Sequence, residues 1–473
     1  MAASRSWTLA RTLAVIAGPG LVLLLATTSG AVGPRGEPDE AGFARIGAGS
    51  CAARGCHGAV GPTEPAKGDA YIKGGAYTTW RSFDPHARAH AVLLEPRSRS
   101  IAARLSGPLG KAPAHEARLC LACHATPGPS TDGATPGARG IDCEGCHGPA
   151  GRWGEAHLAL DWIVKEPAAK AEAGFRDLST PTTRAGSCVG CHVGDRSRGM
   201  DVNHDLIAAG HPRLNFEYAS YLAALPKHWR EPHEKARDAE RAPVAPVDFE
   251  AKSWAVGQAV TARAVLRLLD DRATGSLAPT VAASPSSPWP EFAESECFAC
   301  HHVPSEPGLR PGRDPRMIGP GRVPWATWTS AMLTILAGEG GDRDPVGPDL
   351  AWSRLRVVMS SAEPDAKQVT ELAREGIRGL DAWIGSLESS TFDAKRVDRL
   401  IGWLSKDEPG RVETWDESAQ RYLAIESLRR ASRDLGGGPL PAEAARLLET
   451  APGRLAFPLD FDSPREGRPV PGP

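Results

Sequence analysis

The sequence has few of the side chains that build large apolar cores. Among 473 residues there are 10 Phe and 5 Met, isoleucine is also scarce, and Gly and Pro number 51 and 42. This composition is a poor source of aliphatic interior. Thirteen Trp residues supply large rings, but another apolar component is expected to fill part of the protein.

The chain also lacks an excess of either charge. Its formal net charge is -2 and its pI is about 6.7, so there is no electrostatic case for nucleic acid as a partner. We find no nucleotide-binding loop and no hydrolase triad. Beyond the N-terminal region, no segment has the roughly 20 apolar residues that a membrane-spanning helix needs.

Cysteine and histidine are missing from the whole C-terminal third. The last 171 residues contain neither, so all ten cysteines and all fourteen histidines lie between positions 51 and 302. Any chemistry that depends on these two side chains is therefore confined to that part of the chain.

The ten cysteines fall into five pairs, each followed directly by a histidine. The four strict Cys-x-x-Cys-His motifs are Cys120, Cys123 and His124; Cys143, Cys146 and His147; Cys188, Cys191 and His192; and Cys297, Cys300 and His301. Chance would produce about 0.006 such motifs in a chain of this composition. A fifth, stretched motif has four residues between Cys51 and Cys56, followed by His57.

This spacing is the attachment signature of a c-type haem. The two thiols form thioethers to the haem vinyl groups, and the adjacent imidazole becomes the proximal iron ligand. Structural zinc is less favoured, because it gives no reason for a His after every second Cys. We therefore expect five covalent haem c groups with iron, whose faces would supply the missing apolar surface.

Nine further histidines could bind the opposite side of each iron. Asp84 and Pro85 are typical of a helix start, which places His86 and His90 one turn apart, and we expect about one of the two to ligate. His157 is expected to begin a helix that carries Leu158, Leu160 and Trp162.

Three more candidate ligands follow the fourth motif. His204 and His211 are seven residues apart, so one segment could offer imidazoles to two neighbouring haems. His228 could be a ligand or part of a surface loop. His302 adjoins a proximal ligand and is expected to be a hydrogen-bonding neighbour, while His115 and His233 are expected at the surface.

The N-terminus has the pattern of an export signal. Arg5 and Arg11 precede an apolar stretch, Leu13 to Ala26, and small residues at 29–31 suit a signal peptidase. We expect cleavage after Ala31 and a periplasmic location, with an uncleaved membrane anchor as the alternative. Residues 32–48 are predicted to be a linker.

The fold class is expected to be mainly α, a multihaem cytochrome c with little regular sheet and long loops around packed haems. The predicted divisions are a pentahaem domain at 49–302, a helical C-terminal region at 303–457 and a disordered tail at 458–473. Periodicity indicates helices near 247–271, 325–337, 367–387, 392–405 and 413–434. Trp352, Trp383, Trp403 and Trp415 are expected to pack between the C-terminal helices.

The order of motifs and spare histidines resembles the tetrahaem cytochrome c-554 family over about residues 45–235. The matching segments contain Trp80, Ser82 and His86; Cys143-Glu-Gly-Cys146-His147-Gly-Pro, followed by His157; and His204 to His211. The resemblance implies that His157 pairs with His57, His86 with His192, and His211 or His204 with His147. It also implies that the haem of His124 could lack a distal ligand. The stretched first motif, the fifth haem and the C-terminal region depart from that family, which leaves His204 or His228 for the fifth haem.

Two functions follow from these expectations. If every iron has two imidazoles, the protein is an electron carrier between redox partner proteins, with a membrane-associated donor among them. If the second haem is five-coordinate, the protein is instead an enzyme acting on a small nitrogen or oxygen species. A docking role for the C-terminal region is compatible with the first function. Oligomeric state does not follow from the sequence.

Overall fold

Helices and long connecting loops make up the part of the chain that the structure describes. A computed structural model describes residues 43–60, 71–105, 112–126, 140–231, 248–277, 289–297, 322–338, 348–406 and 414–455. These residues contain two isolated β-bridges, Asp195 with Met200 and Ser295 with Trp325, and no regular strand. The mainly α fold class is therefore confirmed. The predicted signal and the predicted disordered tail lie outside the described residues.

Short helices dominate the first half. The α-helices are α1 (Ala76–Phe83), α2 (Pro96–Arg104), α3 (Arg118–His124), α4 (Cys143–His147), α5 (Trp153–Ala156), α6 (Pro167–Glu172), α7 (Pro181–His192), α8 (His204–Ala208) and α9 (Tyr218–Ala224). The 3₁₀ helices between them are Ala48–Cys51, Pro85–Arg88, Ala91–Leu94, Leu160–Val164 and Arg196–Arg198.

Longer helices follow. They are α10 (Phe249–Leu277), α11 (Leu333–Ala337), α12 (Pro348–Met359), α13 (Ala366–Ser389), α14 (Ala394–Leu404), α15 (Trp415–Asp434) and α16 (Ala442–Leu455), with a 3₁₀ turn at Phe292–Glu294. Side-chain caps begin α13, α14 and α15, where Asp365, Asp393 and Thr414 accept backbone N–H groups. Such caps satisfy donors that have no partner inside the helix.

Helix α10 is the centre of the largest hydrophobic core. Trp254, Leu266 and Leu269 are fully buried on it, and α7, α13 and α15 pack around it. Most residues of α10 between Ala251 and Leu269 are buried, as expected for a helix that others enclose. The same core contains residues from Ala185 to Ala444, so apolar packing joins the segments on the two sides of the predicted division at 303.

The predicted C-terminal helices are present, with one correction. Helices α10, α13, α14 and α15 match the predicted ranges to within a few residues, except that α10 continues to Leu277. The predicted helix at 325–337 was wrong over its first half. There Pro324 accepts from Glu296 N and Ala326 N donates to Glu294, so this backbone pairs with another segment instead of with itself. Helices α12 and α16 were not predicted.

The expected Trp packing is found. Trp352 is buried, Trp383 and Trp403 pack against the main core, and the ring of Trp415 lies 6.1 Å from that of Trp328. None of the described helices combines the length and apolarity needed to cross a membrane.

Candidate haem-binding cavity

One large cavity contains the first four cysteine motifs. Its volume is about 1330 Å³, above the roughly 300–1,000 Å³ of ordinary small-molecule pockets. The motif residues that line it are Cys51, Cys56, His57, Cys120, Cys123, His124, Cys143, Cys146, His147, Cys188, Cys191 and His192. The candidate distal ligands that line it are His86, His157, His211 and His228. Residues far apart in sequence therefore share one space large enough for several flat groups.

Three of the four motifs lie at the C-terminal end of a helix. His124, His147 and His192 are the last residues of α3, α4 and α7. The chain turns away immediately afterwards. Gly148 turns it with a φ of 82°, and a Cβ at this position would lie 2.1 Å from the carbonyl oxygen of Gly174. Only glycine suits such a position, which explains the glycine after this motif.

The separation of two imidazoles that bind one iron can be calculated. A metal–imidazole nitrogen bond is about 2.0 Å long, and the ring centre lies about 1.2 Å behind that nitrogen, so the two ring centres should be about 6.4 Å apart. Rotation about the bond axis leaves this distance unchanged. The angle between the ring planes therefore does not enter the test.

The structure contains three pairs with this separation. The ring centres are 6.2 Å apart for His57 and His157, 6.1 Å for His86 and His192, and 6.4 Å for His147 and His228. The first two are the pairs that the family resemblance implies. Because His57 belongs to one of them, the stretched motif shares this arrangement with the third and fourth motifs.

The third pair differs from expectation. The resemblance implies His211 or His204 as the partner of His147, and the structure places His228 there instead. The segment containing His228 turns back to the cavity because the next residue is held in place: Trp229 Nε1 donates to Glu231, which also binds Arg184 on α7 at 2.7 Å. This return depends on tertiary contacts that local sequence does not reveal.

Three histidines have their Nδ1 atoms fixed by oxygen. Nδ1 lies 2.9 Å from Asp84 Oδ1 in His86, 2.8 Å from the Ala89 carbonyl in His124 and 2.8 Å from the Pro212 carbonyl in His211. Such partners fix the ring orientation and leave Nε2 as the metal-binding atom. The hydrogen bond to Asp84 also raises the pKa of His86.

Burial keeps most of these imidazoles neutral. Desolvation lowers the pKa of His147 and of His192 to about 4, and it also lowers the pKa values of His57, His211 and His228. A metal ligand must be neutral imidazole. These side chains are therefore in the ligand form at neutral pH.

The motif cysteines approach one another in two groups. The Cys51 thiol interacts with that of Cys143, and the Cys123 thiol interacts with that of Cys191, which lowers the pKa of Cys191 to about 7. None of the nine cysteines that the structure describes is in a disulfide. The first and third motifs are thus neighbours, and so are the second and fourth.

A buried carboxylate connects the first and third motifs. Glu144, inside the third motif, is 1% exposed and accepts hydrogen bonds from the N–H groups of Ile46 at 3.1 Å, Gly47 at 2.7 Å and Ala150 at 2.7 Å. Gly47 precedes the 3₁₀ helix that ends at Cys51. Sequence reasoning missed this role, because Glu144 occupies a variable position of the motif.

Among the residues that the structure describes, every Lys or Arg side chain that lines the cavity is an arginine. There are seven, namely Arg45, Arg97, Arg176, Arg184, Arg198, Arg213 and Arg230, and no lysine. The planar guanidinium forms paired hydrogen bonds with carboxylates. The wall chemistry therefore suits a group that carries propionates, as haem does.

The fifth motif is only partly described. Cys297 is half-buried, while Cys300, His301 and His302 lie outside the described residues, as does His233. His204 lies on the neighbouring segment: its N–H donates to Glu291 Oε1 at 2.8 Å, and its ring is 5.9 Å from that of Phe292.

Two remaining expectations concern His115 and His157. The His115 ring is partly exposed and lies 3.4 Å from Glu116, as expected for a surface residue. His157 caps the end of α5 and does not begin a helix, so that prediction was wrong. Among the described residues, no three His, Cys, Asp or Glu side chains are placed to hold a bare metal ion.

Comparison with known proteins gives one match. The model of the family described as cytochrome c554 and c-prime matches residues 54–148, which contain the second and third motifs. No curated protein and no solved structure matched the chain. The matched segment is similar to a family of c-type cytochromes, whose covalently bound haem iron transfers electrons to and from redox partner proteins.

Proposed function

We propose that the chain is an exported pentahaem cytochrome that carries electrons between redox partners through mostly bis-histidine haems. The observation that carries this proposal is the presence of three imidazole pairs with ring centres 6.1–6.4 Å apart. Bound haem would supply one-electron chemistry between ferric and ferrous iron. Two imidazoles on each iron leave no open position for a substrate, which favours electron transfer.

We assign the three pairs to the first, fourth and third haems. Cys51 and Cys56 would hold the first haem between His57 and His157. Cys188 and Cys191 would hold the fourth between His192 and His86, and Cys143 and Cys146 the third between His147 and His228.

For the second haem, bound to Cys120 and Cys123, we assign His124 and His211. Both line the cavity. Leu119 packs against Leu206 and Ala209, which brings the start of α3 to the segment before His211. His211 also keeps its Nδ1 occupied by a carbonyl, as His124 does.

For the fifth haem, bound to Cys297 and Cys300, we assign His301 and His204. The support is the contact of His204 with Glu291, six residues before Cys297. This assignment leaves none of the five irons without a candidate distal ligand.

The protein residues would bring four of these sites together in two neighbouring pairs. The contacts of Cys51 with Cys143 and of Cys123 with Cys191 place attachment points of different haems side by side. Arginines of the wall would pair with propionates, and the buried imidazoles would stay neutral. In the proposed periplasmic location, electrons would enter from a membrane-associated donor and leave to another redox protein.

Electron paramagnetic resonance of the ferric protein tests this proposal. We expect mainly low-spin haem and no rapid binding of cyanide or nitric oxide. A mainly high-spin spectrum would contradict the proposal. Rapid binding of cyanide or nitric oxide to one haem in five would instead favour an enzyme with a five-coordinate second haem, provided that the binding persists in every distal-ligand variant.

A further inference from the structure

The surface just after His157 carries an exposed apolar patch. In the 3₁₀ helix Leu160–Val164, the exposed fractions are 95% for Leu160, 81% for Ile163 and 79% for Val164. Residues i and i+3 of a 3₁₀ helix lie on the same face. None of these three side chains lines the haem cavity, whereas the nearby Leu158 does. The patch would therefore remain exposed with haem bound.

Trp162, which lies between Leu160 and Ile163 in the sequence, fixes the orientation of the patch. Trp162 is buried, packs with Trp153 and lies 5.7 Å from the Phe175 ring. The ammonium groups of Lys165 and Lys170 lie 5.6 and 5.9 Å from the Trp162 ring. The aliphatic face is thus fixed outward by the fold, with an aromatic ring behind it and lysines at its edge.

The N-terminal segment enters the fold at the same corner. Gly151 donates to the Ala44 carbonyl at 2.8 Å, and the Arg152 guanidinium lies 4.6 Å above the Phe43 ring. Upstream in the sequence is the apolar stretch Leu13 to Ala26. The sixteen residues between that stretch and Phe43 can span at most about 55 Å. Before any cleavage after Ala31, the corner that carries the patch is therefore the one connected to the segment with membrane-directed sequence.

We propose that Leu160, Ile163 and Val164 form a contact site for a phospholipid bilayer surface. Aliphatic side chains beside Trp and Lys are typical of groups that insert at the membrane–water interface. Lys165 at the edge of the patch is paired with Asp161, 3.3 Å away. The three aliphatic side chains therefore supply the main attraction, and Lys170 adds one charge whose effect salt screens. The proposal goes beyond electron transfer and stands whatever the number of haems.

This contact would also orient the molecule. His157, which faces His57, lies three residues before Leu160. The first haem site would then be the one nearest the bilayer, where a membrane-associated donor can reach it.

Binding of the haem-loaded protein to phospholipid vesicles tests this proposal, with the protein purified in the form that the cells export. The vesicles would mix phosphatidylethanolamine and phosphatidylglycerol and contain a phospholipid with a photoactivatable acyl chain. Labelled peptides would be identified by mass spectrometry, and binding would be measured by flotation at low and high salt. The patch variant is Leu160→Ser/Ile163→Ser/Val164→Ser, and the control is Leu277→Ser/Val357→Ser, which changes exposed apolar residues elsewhere.

We expect lipid adducts within residues 158–165 and, in the patch variant, their loss with unchanged haem content and absorption spectrum. If the N-terminal apolar stretch has been removed, vesicle affinity should also fall about tenfold or more in the patch variant and change little in the control. Adducts confined to residues 1–31, adducts at neither site, or equal labelling of wild type and variant would overturn the proposal. So would protection of the patch by a protein partner in the absence of lipid. Each of these results leaves the spin-state test of the haems untouched.

Discussion

Replacement of His228 by Ala tests the third ligand pair most sharply. His228 lies opposite His147 with ring centres 6.4 Å apart, the separation calculated for two imidazoles on one iron. Alanine removes one of the two donors and places no other at that position. Since one of five sites is affected, we expect about one fifth of the haem to change from low-spin to high-spin.

The assay is electron paramagnetic resonance of the ferric protein, together with cyanide titration. His228→Ala should bind one cyanide per protein with the other haems unchanged. His115→Ala is the matched control, because this partly exposed ring lies beside Glu116 and should leave the spectrum as in wild type. If His228→Ala keeps every haem low-spin while His204→Ala converts the third haem, the pairing read from the ring distances is refuted.

The remaining predictions concern buried carboxylates, and each can be checked by urea unfolding of the haem-loaded protein. Glu144→Gln should lower the free energy of unfolding by about 2–4 kcal/mol, because three backbone N–H groups lose a charged acceptor. The control Glu155→Gln, at an exposed position, should change it by less than about 0.5 kcal/mol. Equal effects of the two substitutions would contradict the role of Glu144 as a buried acceptor. Burial raises the pKa of Glu217 above its unfolded value near 4.5. Its contribution to stability is therefore greatest below the unfolded pKa and is lost as pH rises through the folded pKa. The stability of Glu217→Gln relative to wild type should increase with pH, and a difference that stays constant with pH would argue against the raised pKa. Asp416→Asn should cost about 3 kcal/mol, because the buried Asp416 lies 3.1 Å from the half-buried Arg213 and its loss leaves that cation without its carboxylate. A cost below about 1 kcal/mol would show that the pair is solvated.

The five cysteine motifs can be recognised from sequence because covalent haem attachment would set their spacing. A thiol, two intervening residues, a second thiol and an imidazole form a purely local pattern. The long helices are also predictable, since α10 and α13 repeat apolar residues with helical periodicity over many turns. Asp84 has two local roles, of which the sequence pattern indicated one. It begins the predicted helical turn, and its carboxylate also lies within hydrogen-bond distance of His86 Nδ1.

The distal ligands depend on long-range packing and are less predictable. The resemblance implies His86 for His192 and His157 for His57, and the ring centres of both pairs have the calculated separation. For His147, the ring at this separation is that of His228, which lies next to Trp229 and its tertiary contacts. No sequence signal distinguishes such a histidine from one in a surface loop.

The role of the C-terminal region also depends on tertiary structure. Sequence periodicity indicates amphipathic helices but not what they cover. In the structure they enclose α10, which in turn packs against α7, the helix that ends at His192. Asp416 on α15 reaches Arg213, two residues after His211. The region without Cys or His therefore packs directly against segments that carry motif residues and candidate ligands.

The mass of the mature protein tests the central claim most directly. Thioether formation adds each thiol across a vinyl group without loss of atoms, so denatured protein should have the polypeptide mass plus that of five haems. Peptide mapping should place one haem on each cysteine pair, including Cys51 with Cys56. A polypeptide mass with no covalent haem, or free thiols at the motif cysteines, would contradict the account.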